Sequence, residues 1–293
     1  MKQQIKKILF DIVYQLYQHH VLHNKLFVFS IEETIDLLRN SDKSIVRFGD
    51  GEIRYIEGHS GEFQEYDKSL ATSLHEILQF KNEKLLVAIP GIFGSLDMFT
   101  EKSGNFWKEH LFFYRRIYEK NCDVNKRYYN AFISRPYYIC KNKEMCGTWF
   151  KKIKEIWDGK EVVVVEGAVS HNGVGNDLFD NAAKVYRIIC PSKDAYCSYE
   201  RILSACMSFG KEKLILTSVG MTAKALTRDL VEQGYRVLDI GNLDMEYEWY
   251  LQRTENKVAL AKHKCLSEEE NRKAGYHEYL SEIVCRIENQ IVD

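Results

Sequence analysis

The chain has 293 residues, enough for one large domain or two small ones of about 150 residues each. Hydrophobic residues make up 45% and charged residues 28%, which is ordinary globular usage and excludes a disordered, collagen-like or coiled-coil chain. The 41 Lys and Arg residues against 42 Asp and Glu residues give a formal net charge of -1, so charge does not favour nucleic acid as a partner.

Cysteine usage and hydropathy favour a cytoplasmic protein. The eight cysteines form no C-x-x-C pair, so a structural zinc site is not expected and reduced thiols are. No stretch reaches the roughly 18 apolar residues of a membrane span, and no transmembrane segment is expected. A peripheral position at the inner face of the membrane is left open.

The N-terminal residues, 1–40, are predicted to form a helical extension. Apolar residues between Ile5 and Tyr17 recur at i, i+3, i+4 and i+7 spacing, which places them on one helical stripe. We expect this stripe to dock on the domain or on a second subunit rather than on a membrane surface, and it is the expected contact of a homo-oligomer or partner. Ser30 and Glu33 form a capping box that begins a second helix.

Short apolar runs and helical patterns then alternate along the chain. The runs are short and β-branched and predict buried strands at 44–48, 85–89, 129–133, 161–165, 185–189, 213–217 and 235–240. Helices are predicted at 67–80, 106–118, 178–183, 196–207 and 222–233. This alternation predicts an α/β fold with a Rossmann-like, mainly parallel sheet and flanking helices. We expect one domain, 41–258, followed by a helical tail, 259–293.

The first candidate site is the turn after the first of these strands. In an open α/β sheet, ligands bind at the carboxyl ends of the strands. Asp50 and Glu52 stand there among glycines, and in an extended backbone their carboxylates would share a face. Bound Mg²⁺ or Mn²⁺ would relieve the repulsion between them. The alternative, which the short spacing favours by itself, is a solvated turn with Glu52 starting a helix.

Two further turns contain glycines. The turn 166–177 has three glycines after the best predicted strand, and its backbone amides would suit a phosphate. A plain strand-to-helix loop is an equally supported alternative. In the other turn, Thr222 follows Gly220 closely and is a candidate helix cap.

The run 241–249 is acidic. Asp244, Glu246 and Glu248 alternate with apolar residues. They would line one face of an extended segment, whereas in a helix they would spread out and be solvated. Both alternatives stay open at this point.

Five motifs occur in a fixed order from about residue 44 to residue 253. They are RFGDGE at 47–52, FISRPY at 132–137, GVGNDLF at 173–179, RIICP at 187–191, and DIG at 239–241 with EYEW at 246–249. Together they resemble the bacterial glycosyltransferases with the GT-D fold. The resemblance implies a metal-dependent hexosyltransferase that uses a nucleotide sugar, typically a UDP-hexose. The implied acceptor is a glycan on a surface glycoprotein, a polysaccharide precursor or a lipid-linked glycan.

The resemblance also implies roles for individual residues. The D-x-E motif of the family matches Asp50 and Glu52, which become the expected ligands of Mn²⁺ or Mg²⁺. Asp244 or Glu246 is the expected catalytic base. Contacts to the nucleotide sugar are expected from Arg47, Gly49, Arg135, Glu166, Ser170, Gly173, Gly175, Asn176, Asp177, Gly220, Thr222 and Asn242.

Three positions depart from the family pattern. His171 stands where arginine is common, Met221 where proline is common, and Asn242 where histidine is common. These departures leave the sugar and the acceptor open. A catalytically decayed, nucleotide-sugar-binding scaffold protein is the first alternative. A Rossmann-type dehydrogenase or methyltransferase is the second, and the chain lacks the glycine fingerprint expected for it.

Overall fold

A parallel sheet runs through the chain in the computed structural model, which describes residues 2–263 and 276–289. Within these residues the sheet has nine strands in the order β1-β4-β3-β2-β8-β7-β5-β6-β9. All neighbouring strands pair in parallel. The strands are β1 (Phe27–Val28), β2 (Ser44–Arg47), β3 (Leu85–Ile89), β4 (Arg127–Asn130), β5 (Glu161–Gly167), β6 (Lys184–Cys190), β7 (Leu214–Ser218), β8 (Arg236–Asp239) and β9 (Ile283–Arg286).

Helices flank this sheet and connect its strands. In the described part of the chain they are α1 (Lys2–Gln18), α2 (Ile31–Arg39), α3 (Asp50–Ile56), α4 (Lys68–Gln79), α5 (Glu101–Asn121), α6 (Pro136–Ile139), α7 (Lys143–Lys154), α8 (Tyr199–Met207), α9 (Thr222–Glu232), α10 (Leu243–Leu251) and α11 (Tyr276–Glu282). Short 3₁₀ helices occur at Ala131–Ser134, Glu155–Trp157 and Ala195–Ser198.

The predicted α/β class and the mainly parallel sheet are confirmed. Each of the seven predicted strands overlaps an observed one, because central parallel strands are covered on both faces and therefore consist of continuous apolar runs. Val162 to Val165 of β5, for example, are completely buried. The run predicted at 129–133 leaves the sheet early, since the Asn130 side chain accepts the Phe132 N–H and starts a 3₁₀ helix.

Both chain ends contribute an edge strand that the sequence did not predict. β1 lies inside the predicted helical extension and pairs with β4, with Phe27 opposite Arg127. β9 lies inside the predicted helical tail and pairs with β6, with Ile283 opposite Arg187. The segment 1–40 thus contains the helices α1 and α2 with β1 between them, and the described part of 259–293 contains the helix α11 followed by β9. Residues 264–275 and 290–293 of the tail lie outside the described residues.

The helix predictions were confirmed with one exception. Ser30 and Glu33 form the expected capping box at the start of α2, each accepting the backbone N–H of the other. The helix predicted at 178–183 is wrong, because this segment forms successive turns. Its Leu178 carbonyl accepts the indole N–H of Trp157 at 3.0 Å, which fixes the segment outside a helical path.

The N-terminal helix α1 packs with the face opposite to the predicted stripe. Phe10 and Tyr14 are buried on the domain, and the Phe10 ring lies 5.0 Å from the ring of Phe112 on α5. The outer face is apolar, with Ile5, Ile8, Leu9 and Ile12 each between 45% and 60% exposed. The helix therefore docks on the domain as expected, through Phe10, Tyr14 and the Tyr17 ring, which lies 3.5 Å from the Arg115 guanidinium of α5, while most of the predicted stripe faces outward. Docking on a second subunit stays a prediction. Nowhere in the described residues is a helix long and apolar enough to span a membrane.

The centre of the sheet brings distant parts of the chain together. β2 pairs with β8 through Ile45 and Leu238, and β7 and β5 follow in the sheet order. Because these strands are parallel, their carboxyl ends meet at one edge, here called the carboxyl edge. A ligand site of an open α/β fold lies at this kind of edge.

Candidate active site

The turns singled out in the sequence gather at the carboxyl edge. Residues 47–52 follow β2, 166–177 follow β5, 220–222 follow β7 and 241–246 follow β8. These four strands are consecutive in the sheet. Arg135 comes from the segment after β4 and reaches the same edge, since its Nε lies 4.0 Å from Oε1 of Glu246.

Asp50 begins helix α3, so the extended backbone predicted for Asp50 and Glu52 is wrong. Residues two apart on a helix point about 200° away from each other, and the two carboxylates do not share a face. Glu52 instead turns back on its own helix, where Oε2 accepts the Gly49 N–H at 2.7 Å. The helix-start alternative holds, because this bond satisfies one of the free amides of the first turn.

Four charged side chains connect four elements next to this turn: β2, α3, α9 and β8. Lys224 Nζ lies 3.0 Å from Glu52 Oε1 and 3.1 Å from Asp239 Oδ2, and Arg47 Nη2 lies 3.0 Å from Asp239 Oδ1. We call Arg47, Glu52, Lys224 and Asp239 the Lys224 network. Arg47 also donates to the Ala131 carbonyl. Its guanidinium is therefore bonded within the protein instead of standing open to a ligand.

The charges of the Lys224 network stabilise one another against burial. Burial by itself would raise the pKa of Asp239, but Arg47 and Lys224 outweigh it and leave that pKa lowered. Burial would likewise lower the pKa of Lys224, but Asp239 and Glu52 leave it raised. Gly241 is required beside the network, since a Cβ there would lie 1.9 Å from Arg47 Nη2 and its φ is +44°.

Asp50 differs from Glu52 in having a free carboxylate. No hydrogen bond or ion pair joins it to any residue that the structure describes. The turn that carries it lies against the start of α9, because a Cβ at Gly51 would be 3.6 Å from Met221 Cε. Thr222 is the first residue of α9 rather than its cap, and its buried hydroxyl lies 3.5 Å from Gln64 Oε1. The predicted capping role of Thr222 is therefore wrong.

Asp244 holds the glycine-containing loop in place. Its Oδ1 accepts the Gly173 N–H at 2.8 Å, Asn176 Nδ2 at 2.9 Å and Lys262 Nζ at 2.9 Å. Its Oδ2 lies 3.2 Å from Nε2 of His263. We call Gly173, Asn176, Asp244, Lys262 and His263 the Asp244 network. Burial opposes ionisation of Asp244, but His263 and Lys262 leave its pKa lowered.

A second buried carboxylate fixes the start of the same loop. Glu166 Oε1 lies 2.7 Å from Arg187 Nη1, and its Oε2 accepts both the backbone N–H and the side-chain amide of Asn172 at 2.8 Å. Arg187 also donates to Glu282, which ties the loop to α11. Glu166 is fully buried and both of its carboxylate oxygens have hydrogen-bond partners, so its role is to hold the loop in its conformation.

Other predicted contacts of this loop remain at its surface. Asp177 pairs with Lys154 and accepts the Tyr247 hydroxyl at 2.7 Å. Gly175 is exposed at a φ of +77°, and Ser170 is partly exposed with no side-chain hydrogen bond among the described residues. Ser170 and Gly175 are thus the loop positions whose polar groups are available to a ligand.

Glu246 differs from Asp244 in its bonding. The acidic run forms the helix α10 and not an extended segment. The carboxylates of Asp244 and Glu246 therefore point in different directions. Glu246 Oε2 accepts the Tyr138 N–H at 2.8 Å, whereas the buried Oε1 has no hydrogen-bond partner in the described part of the chain. Burial raises the pKa of Glu246, and the Tyr138 amide and Arg135 offset that only in part. Glu246 is therefore the better candidate base of the two.

Sequence reasoning missed three basic residues of the site, Lys224, Lys262 and His263. Lys224 had one local signal, since it stands among Thr222, Ala223 and Ala225 on the buried face of a predicted helix. Lys262 and His263 lie beyond the predicted domain and carried no local signal. Among the described residues no group of three or more His, Cys, Asp or Glu side chains is arranged to hold a metal ion.

Curated relatives come from streptococci. The protein named probable glycosyl transferase Gly of Streptococcus gordonii is 41% identical over 238 residues, which cover 81% of this chain and 35% of that protein. Glycosyltransferase GlyD of Streptococcus pneumoniae serotype 4 is 38% identical over 264 residues, which cover 88% of this chain and 32% of that protein. The chain thus spans about a third of the length of these relatives.

Solved structures and a family model agree with these relatives. A structure of the domain of unknown function 1792, described as having a distinct glycosyltransferase fold, matches with a TM-score of 0.83 at 40% identity over 90% of this chain and 96% of that one. A glycosyltransferase of the same domain type from Streptococcus sanguinis matches with a TM-score of 0.82 at 38% identity over 90% of this chain and 100% of that one. The family model for the glycosyltransferase GT-D fold matches residues 45–269. The chain therefore belongs to the family of glycosyltransferases with the GT-D fold.

Proposed function

We propose that the chain transfers a hexose from a nucleotide sugar, a UDP-hexose, to a glycan acceptor, and that Mn²⁺ or Mg²⁺ assists the transfer. One observation carries this proposal beyond family membership. Asp50 begins α3 at the carboxyl edge without a partner among the described residues, and the first turn of α3 is held to α9 by the Glu52–Lys224 ion pair and by Gly51 facing Met221. A carboxylate next to a helix N-terminus can hold a cation and a diphosphate side by side.

The residues present fit a divalent ion in one particular way. Mg²⁺ is usually bound through one or two carboxylates together with substrate phosphates, so a three-ligand protein cluster is not required. Asp50 supplies a carboxylate that no described residue occupies, while Glu52 would have to exchange Lys224 for the ion. The bound ion would neutralise charge on the leaving diphosphate.

The chain also offers positive groups to the diphosphate. The helix dipole of α9 points its positive end at the carboxyl edge, directly after Gly220. Arg135 has a side chain that is 38% exposed, and a guanidinium can bind phosphate with two parallel hydrogen bonds. Asn242 is exposed at the start of α10, where the nucleotide or the sugar can contact it.

Glu246 is proposed to accept the proton of the acceptor hydroxyl. Oε1 has no hydrogen-bond partner among the described residues, and the raised pKa makes Glu246 a stronger base than an ordinary carboxylate. Asp244, in contrast, uses both oxygens to hold the loop. Its proposed role is to position the loop.

A donor screen tests the proposed function. Purified protein is incubated with a panel of UDP-, GDP- and dTDP-sugars with and without Mn²⁺, and release of the nucleoside diphosphate is measured. We expect release from one or a few UDP-hexoses that depends on the metal. Binding of UDP without release from any sugar would instead support the decayed scaffold alternative, and absence of both would overturn the proposal. The cytoplasmic location stays a prediction.

A further inference from the structure

A second concave surface lies next to the carboxyl edge. It is a groove of about 600 Å³ between α4, α9 and the segment that carries Tyr196 and Tyr199. Ser69 and Thr72 of α4 line one side of it, and Arg228 of α9 lines another. None of these residues belongs to the Lys224 network or the Asp244 network.

The groove is connected to the candidate active site through Gln64. The side-chain oxygen of Gln64 accepts the Tyr196 N–H at 3.2 Å and lies 3.5 Å from the hydroxyl of Thr222. Along α9, Ala225 and Arg228 are one and two turns after Thr222, or about 4.5 and 9 Å at the usual rise. The groove therefore begins within a few ångströms of the helix start that faces the donor.

The groove is lined by two aromatic rings and several hydroxyl groups, together with the charged residues Lys68, Glu76 and Arg228. The rings of Tyr196 and Tyr199 lie 5.2 Å apart at 45°, and the Tyr199 hydroxyl is held by Asp229. Arg228 is paired with Asp229 at 2.6 Å and with Glu76 at 3.5 Å. Its charge is therefore balanced within the protein and does not select an anionic ligand.

Sugars combine these two requirements in one molecule. Aromatic side chains offer a large apolar face with a polar tip, and specific pockets add a few hydrogen-bonding groups for orientation. A pyranose ring has an apolar face of C–H groups that can stack on a tyrosine. The hydroxyl of Ser69 donates to Asp67 and that of Thr72 donates to the Lys68 carbonyl, so both can still accept a hydrogen bond from a sugar hydroxyl.

We propose that this groove binds the acceptor saccharide, so that the sugar to be extended stacks on Tyr196 and Tyr199 while its reacting end points toward the start of α9. This inference rests on the proposed function, because it assigns the second substrate of the same transfer. It goes beyond that function in naming the acceptor subsite and the chemical class that occupies it.

Ligand-observed NMR tests the groove without requiring catalysis. The probes are chitobiose, cellobiose, lactose and maltose at millimolar concentration, mixed with the full chain. We expect saturation transfer from the protein to at least one disaccharide, about tenfold weaker binding with Tyr196→Ala, and little change with Tyr196→Phe, which keeps the ring. Phe113→Ala, which removes an exposed aromatic ring on α5 outside the groove, is the control.

A second variant guards against misfolding of the first. Thr72→Trp places a bulky side chain on an exposed helix position that lines the groove, and it should abolish disaccharide binding while the melting temperature stays unchanged. The inference would be overturned if the wild-type protein showed no saturation transfer to any of the four disaccharides. It would also be overturned if wild type, Tyr196→Ala and Thr72→Trp bound the disaccharides equally well. UDP binding is measured by calorimetry in the same samples. Its failure overturns the proposed function, whereas failure of disaccharide binding alone overturns only the groove.

Discussion

Lys224 and Glu52 form a buried ion pair, with 3.0 Å between Nζ and Oε1, that ties the first turn of α3 to α9. The side chain of Lys224 is 5% exposed and that of Glu52 is 14% exposed. The pair therefore fixes the first turn of α3, which starts at Asp50, relative to α9.

Replacing Lys224 should be costly. Lys224→Met leaves Glu52 and Asp239 without a common partner, and breaking a buried ion pair from one side typically lowers the free energy of unfolding by about 3–5 kcal/mol. Lys7→Met is the matched control, since Lys7 pairs with Glu101 at an exposed position and should cost under about 1 kcal/mol. Urea unfolding of both variants measures the difference. Equal losses would show that the network contributes no more than a surface pair.

The two acidic residues of the D-x-E motif should respond differently. Asp50→Asn should abolish metal-dependent release of UDP and leave the melting temperature unchanged, because Asp50 has no partner among the described residues. Glu52→Gln should lower both, because it weakens the bond to Lys224. Full metal-dependent activity of Asp50→Asn would remove Asp50 from the proposed metal site.

Measurements of activity and of stability also distinguish the roles of Asp244 and Glu246. Glu246→Gln should lower kcat about 10²–10⁴-fold with little effect on UDP binding, as expected for loss of a general base. Asp244→Asn should lower the free energy of unfolding by about 1–3 kcal/mol, because it weakens several buried hydrogen bonds at once. A normal kcat for Glu246→Gln, corrected for the folded fraction, would place the base elsewhere.

Stability should depend on pH through Glu246. Burial raises its folded-state pKa above the ordinary 4.5, so protonated Glu246 stabilises the fold, and this contribution is lost as pH rises through the raised pKa. The free energy of unfolding of Glu246→Gln minus that of wild type should therefore increase as pH rises from the ordinary carboxyl range through the raised pKa of Glu246. Denaturant unfolding over a series of pH values measures it. A difference that stays constant would mean that Glu246 titrates normally.

The outer face of α1 should mediate self-association. Ile8 and Ile12 are 58% and 52% exposed on this face, and they line a groove of about 420 Å³. We expect wild type to form a dimer by light scattering, and Ile8→Gln combined with Ile12→Gln to yield a folded monomer that still binds UDP. Lys6→Gln on the same helix is the control and should leave the dimer intact. A monomeric wild type would contradict this prediction.

Most of the sheet could be predicted because its central strands are buried on both faces. The run Val162 to Val165 is apolar without interruption, and such runs are visible in a single sequence. β1 has two residues and β9 alternates half-buried with exposed positions, so neither produced a comparable signal. The parallel direction of the seven predicted strands followed from their alternation with helices, which also placed the polar turns at one edge.

The pairing of charged side chains could not be predicted in the same way. Glu52 and Lys224 come from opposite ends of the domain, and only the order of the strands brings them together. The short spacing of Asp50 and Glu52 suggested a shared face, but the helix start that rotates them apart depends on the bond from the Gly49 amide to Glu52. Lys262 contacts Asp244 from a segment that carried no motif.

The pairing of β2 with β8 also has a consequence for synthesis of the chain. The guanidinium of Arg47 can pair with Asp239 only after Asp239 has been synthesised, which is 192 residues later in the sequence. Until the ribosome has released β8, the two flanking parts of the sheet have no strand to join them. Topologies with such distant contacts fold slowly. A growing chain that ends before β8 should therefore resemble two unjoined half-sheets, and we expect it to depend on chaperones during translation.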